Sequence, residues 1–309
     1  MKPLSRYHYR YCIIICCCIV FAQKARGQTI ADGLMIPQNF FCAGSMYTYS
    51  SWTNYWEGTF KRDNGNIGKL TTNTYTVFGN YGITNKLDVV FSVPYVTTNA
   101  SAGTLKGQGG FQDLMMSLKW LPFKAGLGGG TFSSYVILSG TTPLSNYEAD
   151  FEPMSIGMHA ETASLRALLN YQYGRFFIAA SGQYIRRSDI TIDRTSYYTT
   201  ELIYSNRVDV PNANNLLFST GYRSPKFNVE AIFEQNTTLG GFDIRKNDMP
   251  FVSNTMNSTI AGALFKYSFN KVAGLELTTG GNYVLKGRNV GQATTVFGGV
   301  LYLFDLNKR

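Results

Sequence analysis

The stretch Leu87-Asp88-Val89-Val90-Phe91-Ser92-Val93-Pro94-Tyr95 decides the fold. Leu87, Val89, Phe91, Val93 and Tyr95 fall on one face, and Asp88, Ser92 and Pro94 on the other, with Val90 the exception. A period of two is the signature of a β-strand. The same logic returns at 227–233, where Phe227, Val229, Ala231 and Phe233 oppose Asn228 and Glu230, with Glu234 following. It returns at 275–285, where Leu275, Leu277, Tyr283 and Leu285 oppose Glu276, Thr278, Asn282 and, just beyond, Lys286. Segments 114–120, 165–173, 176–184, 216–222 and 261–269 alternate similarly, while 132–140 carries apolar residues on both faces.

Working outward, the connections alternate in length. Short joints at 82–86, 174–175, 224–226 and 270–274, and a Gly-rich one at 123–130, separate longer polar stretches at 57–69, 98–110, 144–158, 190–211 and 240–254. A sixth, 287–291, is short. About twelve strands result, an even number. Short turns on one side and long loops on the other are the pattern of an all-β, transmembrane, antiparallel up-and-down barrel of outer-membrane type. Tyr81, Trp120, Phe123, Tyr173, Phe176, Tyr222, Phe227, Tyr267, Phe269, Tyr302 and Phe304 lie beside the short turns, where amphipathic rings would meet lipid headgroups. A secreted β-sandwich would have shorter strands, a polar outside and no such regular alternation of loop length.

Composition agrees. Of 309 residues, 15% are charged and 15% aromatic, and Gly numbers 31. Charge is well below the roughly 25% of soluble domains. Two histidines, His8 and His159, exclude multi-His metal sites. Four of five cysteines fall within the first 18 residues, leaving Cys42 without an intrachain partner. Lys2, Arg6 and Arg10 precede an apolar run at 11–22, and Ala25 and Gly27 supply small residues before Gln28. That is the pattern of a signal peptide over 1–27, although Lys24 and Arg26 near the cut are atypical. A lipoprotein reading through Cys16–Cys18 lacks a small residue ahead of Cys16. Without the leader's five basic residues the net charge falls from +9 to +4, and nucleic acid is not an expected partner. Three segments follow: the leader 1–27, an exported periplasmic segment 28–39 with plugging of the lumen an open alternative, and a barrel over 40–309.

The run 81–96, YGITNKLDVVFSVPYV, together with Gly107–Gly110, Asp113 and Leu118-Lys119-Trp120, resembles the outer-membrane family named for the meta-pathway of phenol degradation. That family is related in kind to hydrophobic-compound channels such as the fatty-acid transporter. The likeness covers about 75–143. It implies an outer-membrane transporter of small, including aromatic, substrates, and brings no catalytic residue with it.

The polar strand faces direct Asp88, Asp113, Lys119, Arg166, Glu230, Glu234, Lys266, Glu276 and Lys286 toward the lumen, because a charge facing lipid near the midplane costs about 2–4 kcal/mol. They form either a selectivity lining or a self-neutralising network, and the balance of signs favours the network. Asp88, Asp113 and Lys119, on adjacent strands, are the best candidate cluster. A lipid-hydrolase reading needs His159 with Glu161 and Ser164, but on a strand Ser164 points away from the other two. Gly126–Gly130 lacks the Lys-Ser/Thr of a phosphate loop. The Tyr-rich loop 195–204 either stacks on a ligand or packs over the barrel mouth, and packing is the simpler reading.

The expected function is passive passage of small, hydrophobic or aromatic compounds through the barrel of a Gram-negative outer membrane. No enzymatic activity, cofactor or metal is expected. Partners are membrane lipids and a small-molecule substrate, with the oligomeric state open. The alternatives are a structural or assembly barrel with a plugged lumen and, further off, a hydrolase built on His159.

Overall fold

A computed structural model describes residues 29–246 and 248–307; the leader over 1–27 and its cleavage point lie outside them. Twelve long strands form a closed antiparallel barrel. They are β1 (Phe40–Trp52), β2 (Leu70–Thr84), β3 (Leu87–Ala100), β4 (Asp113–Leu127), β5 (Gly130–Pro143), β6 (Thr162–Tyr173), β7 (Phe176–Arg187), β8 (Ala213–Arg223), β9 (Phe227–Thr238), β10 (Asn257–Ser268), β11 (Leu275–Arg288) and β12 (Thr294–Asp305). Each pairs with the next, and β12 closes on β1 from Phe40↔Asp305 to Ser51↔Thr294. Closure leaves no open edge, the condition for burying strands in lipid. Lengths of 11 to 15 residues suffice to cross a bilayer core at the usual tilt.

The alternation is realised strand by strand. In β3, Leu87, Val89, Phe91, Val93 and Tyr95 face outward, while Asp88 and Val90 are buried inside. Around the wall, outward residues such as Val77, Leu138, Leu165, Ile178, Phe218 and Val296 are exposed although apolar. So continuous a belt would be untenable in water and suits a hydrocarbon core. At the short-turn end, rings meet along the outer face: Phe176 with Tyr222, Tyr222 with Phe227, and Phe227 with Phe265, at 5.3, 5.7 and 6.4 Å between centroids. Tyr302 and Phe304 continue the girdle at 4.7 Å. By the rule of such barrels this end is periplasmic.

Two segments enter the lumen. Residues 29–37, read from the sequence as a periplasmic segment with plugging of the lumen the open alternative, run inside the short-turn end of the barrel. Ile36 is fully buried against Cys42, Leu301 and Leu303, and Ile30 and Met35 pack on Leu121, Tyr135, Ile137 and Leu168. These contacts explain why 132–140 is apolar on both faces: Tyr135 and Ile137 point inward, against the N-terminal segment. At the opposite end the loop between β5 and β6 folds over the mouth. Ile156 packs on Val96 and Tyr147, Met154 on Ile67 and Leu70, and Thr98 Oγ1 donates to Met154 O at 2.6 Å. A small apolar core of Ala149, Ala160, Ile190, Ile192, Val208, Val210 and Val252 joins three of the long loops.

Candidate functional site: the occupied lumen

Asp88 and Lys119 are register partners on β3 and β4, and both are fully buried. Isolated buried charges are untenable unless paired and hydrogen-bonded. The N-terminal segment supplies the partners. Lys119 Nζ donates to Thr29 O at 2.7 Å, to Asp32 O at 2.8 Å and to Asp32 Oδ1 at 3.1 Å. Asp32 also meets Lys266 Nζ at 3.6 Å. Ile36 N–H donates to Asp88 Oδ2 at 3.0 Å, and Tyr135 OH donates to Gly33 O at 2.7 Å. Four strands of the wall, β3, β4, β5 and β10, thus hold one short segment. Glycine at 33 permits the approach, since a Cβ there would lie 2.5 Å from Asn170 Cβ. Gly82 does the same on β2, where a Cβ would meet Pro37 O at 2.2 Å.

The remaining candidates separate by height in the barrel. Arg166 faces inward and donates to Ser181 Oγ at 2.9 Å and to Gln183 Oε1. Glu230 is buried on the lumen face of β9, and Glu276 accepts from Ser268 Oγ at 2.7 Å. Glu234 accepts from Asn215 Nδ2 at 2.6 Å. Asp113 sits at the loop end of β4, taking the Tyr147 hydroxyl at 2.7 Å. Six residues separate it from Lys119, roughly 20 Å along a strand, so the trio Asp88–Asp113–Lys119 is not one site. Lys286 corrects the sequence reading. A bulge in β11 sets it opposite Thr259 while Val284 stays opposite Ile260, so it leaves the lumen face and is exposed at the loop-end rim.

His159 lies in the loop, in a left-handed backbone conformation, with its ring edge-on to Tyr147 at 4.9 Å. Ser164 faces the lumen and accepts from Gln183 Nε2 at 2.8 Å, and Glu161 N–H donates to Ser188 Oγ. No hydrogen bond joins His159, Glu161 and Ser164 to one another among the described residues.

Between the two inserted segments lies a cavity of about 490 Å³. Ile30 forms its floor, Met115, Ser139 and Gln183 are in its wall, and Glu152 and Met158 are in its roof. Two participants escaped the sequence reading, Asp32 and Glu152. The signal for Asp32 was indirect: lumen positions Val90, Leu121, Tyr135, Ile137 and Leu168 are apolar where an empty aqueous pore would be polar.

No protein-family model and no curated protein sequence matches this chain. Among solved structures, the COG4313 outer membrane channel from Pseudomonas putida F1 superposes with a TM-score of 0.70 at 16% identity, covering 90% of this chain and 100% of that one. The TodX monoaromatic hydrocarbon channel, in a deletion mutant, gives 0.46 at 9% identity over 87% and 91%. The β domain of the Bordetella autotransporter BrkA gives 0.43 at 13% over 85% and 100%. The first shares the fold: this chain is a twelve-stranded outer-membrane-type barrel.

Proposed function

We propose that this chain is a channel of the Gram-negative outer membrane, passing small compounds, hydrophobic or aromatic ones among them, by diffusion through a lumen that residues 29–37 close at rest. The observation that carries the reading is the cavity of about 490 Å³ inside the wall, within the usual range for a small-molecule site, with Ile30 of the N-terminal segment as its floor. Residues 29–37 are held by hydrogen bonds, by one carboxylate between two lysines and by the packing of Ile30, Met35 and Ile36, with no strand pairing to the wall, so the segment can leave without opening the barrel. The fold shared with a protein described as an outer membrane channel supports the reading. So does the resemblance of 81–96 to the phenol-degradation meta-pathway family. Export requires the leader, whose cut we place at Gly27/Gln28.

The test is uptake of radiolabelled toluene by cells carrying the barrel. The comparison is Asp32→Ala, which removes the carboxylate that holds the segment to Lys119 and Lys266. Uptake that rises in Asp32→Ala supports a channel closed by the segment. Uptake in both proteins no greater than in cells without the barrel contradicts it and favours the second reading, a structural barrel whose lumen stays filled.

A further inference from the structure

We propose that Glu152 is the anchor of a binding site for small organic cations, an ammonium or guanidinium group on an apolar or aromatic body, where two cavities meet in the loop-end half of the barrel. The proposal deepens the channel reading of this lumen and rests on it for its role in transport.

The loop between β5 and β6 carries Glu152 over the mouth. The carboxylate lines the inner cavity and also an outer one of about 650 Å³ between the long loops, so a solute passing from one to the other meets it. No hydrogen bond or ion pair ties that carboxyl to another described residue; its surroundings act on it by desolvation, which raises it to about 8. The outer cavity is aromatic, with Tyr197 and Phe251 rings at 5.5 Å and Phe242 and Phe251 at 6.5 Å. Its rings already receive cations: the Arg245 guanidinium lies 3.6 Å from the centre of Tyr198, and that of Arg194 lies 5.6 Å from Phe251. Ring faces attract cations and repel anions.

Charge points the same way. Both arginines of the outer cavity are engaged, Arg194 with Asp150 at 2.7 Å and Arg245 with Asp248 at 3.0 Å, while Glu148 and Asp193 add further negative charge. In the inner cavity Asp113 holds the Tyr147 hydroxyl, and Arg187 donates to Pro211 O at 2.9 Å. Met115, Ile156, Met158 and Ile185 offer apolar surface for the body of such a ligand. An acid-rich, aromatic approach focuses cations toward a carboxyl that has no partner among the described residues. The Tyr-rich loop 195–204 thus has a use beyond packing.

A cation beside Glu152 favours the ionised carboxylate, so its binding releases a proton near neutral pH. The test is calorimetry on the full barrel in detergent micelles at pH 7.5, titrating benzylammonium chloride, benzyl alcohol and sodium benzoate. We expect benzylammonium to bind about tenfold or more tighter than benzoate, and Glu152→Gln to remove about tenfold of that affinity. Repeating the titration of the unaltered protein in buffers of different ionisation enthalpy must register proton release, a readout that needs no variant. Equal binding of benzoate, unchanged affinity in folded Glu152→Gln, or no proton release overturns the proposal. Binding is measured without transport: a barrel that binds benzylammonium yet conducts nothing contradicts the channel reading alone, and one that conducts without cation preference contradicts the site alone.

Discussion

Asp88 and Lys119 stand opposite one another across the β3–β4 pair, and both bond to the N-terminal segment: Asp88 receives the Ile36 amide and Lys119 reaches Thr29 and Asp32. A pair that reads in sequence as a lumen lining is therefore the socket of a plug. Asp32 is the third member, between Lys119 and Lys266.

The two lysines are unequal, which yields a ranking. Lys119 is fully buried and makes three hydrogen bonds to the segment, whereas Lys266 meets Asp32 at 3.6 Å. Removing one partner of a buried ion pair costs about 3–5 kcal/mol. Lys119→Met should therefore release residues 29–37 to added protease far more than Lys266→Met does. N-terminal sequencing of the cleaved barrel checks this, and equal protection in the two variants would contradict the socket.

Glu152 gives a pH dependence with a definite sign. Its carboxyl is raised to about 8, so it is neutral at pH 6 and ionised at pH 9. In the Asp32→Ala barrel, where the lumen conducts, the potassium-to-chloride permeability ratio read from reversal potentials should rise across that interval as a negative charge appears between the cavities, and adding Glu152→Gln should flatten the rise. The same sign governs stability. A carboxyl whose folded-state value lies above its unfolded one binds more protons folded, so its contribution weakens as pH climbs from about 4 to 8.

The outer belt makes a third prediction. Val77 sits mid-strand on the lipid face of β2, opposite Ser45 and Val93, and is 60% exposed. Val77→Arg should destabilise the barrel by about 2–4 kcal/mol in bilayer unfolding titrations. Lys286→Gln, at the exposed rim, should stay within about 0.5 kcal/mol of the unaltered protein. The reverse order would place the membrane elsewhere.

The barrel was legible because its period-two signal repeats in strand after strand, each as plain as Leu87 to Tyr95, and because loop length alternates with it. Inward placement of Asp88, Lys119, Arg166, Glu230, Lys266 and Glu276 followed from the cost of charge in lipid. Lys286 misled because one bulged residue, invisible to a simple alternation, inverts the faces beyond it. The plug was hidden for a different reason. Residues 29–37 have no periodicity of their own, and their docking is written in the wall: Tyr135 and Ile137, in the stretch that is apolar on both faces, mark the apolar height where the segment lies. Glu152 sits in a loop whose path over the mouth depends on long-range contacts such as Thr98 to Met154, which no local pattern encodes.

The central claim, that residues 29–37 close a lumen able to conduct, is tested most directly by single-channel recording of the refolded barrel in planar bilayers, the unaltered protein beside Asp32→Ala. Loss of the Asp32 carboxylate leaves Lys119 and Lys266 without their shared counter-charge, so the variant should show steady ohmic steps where the unaltered barrel is silent apart from brief openings. Steady steps of equal size in both proteins would contradict the account.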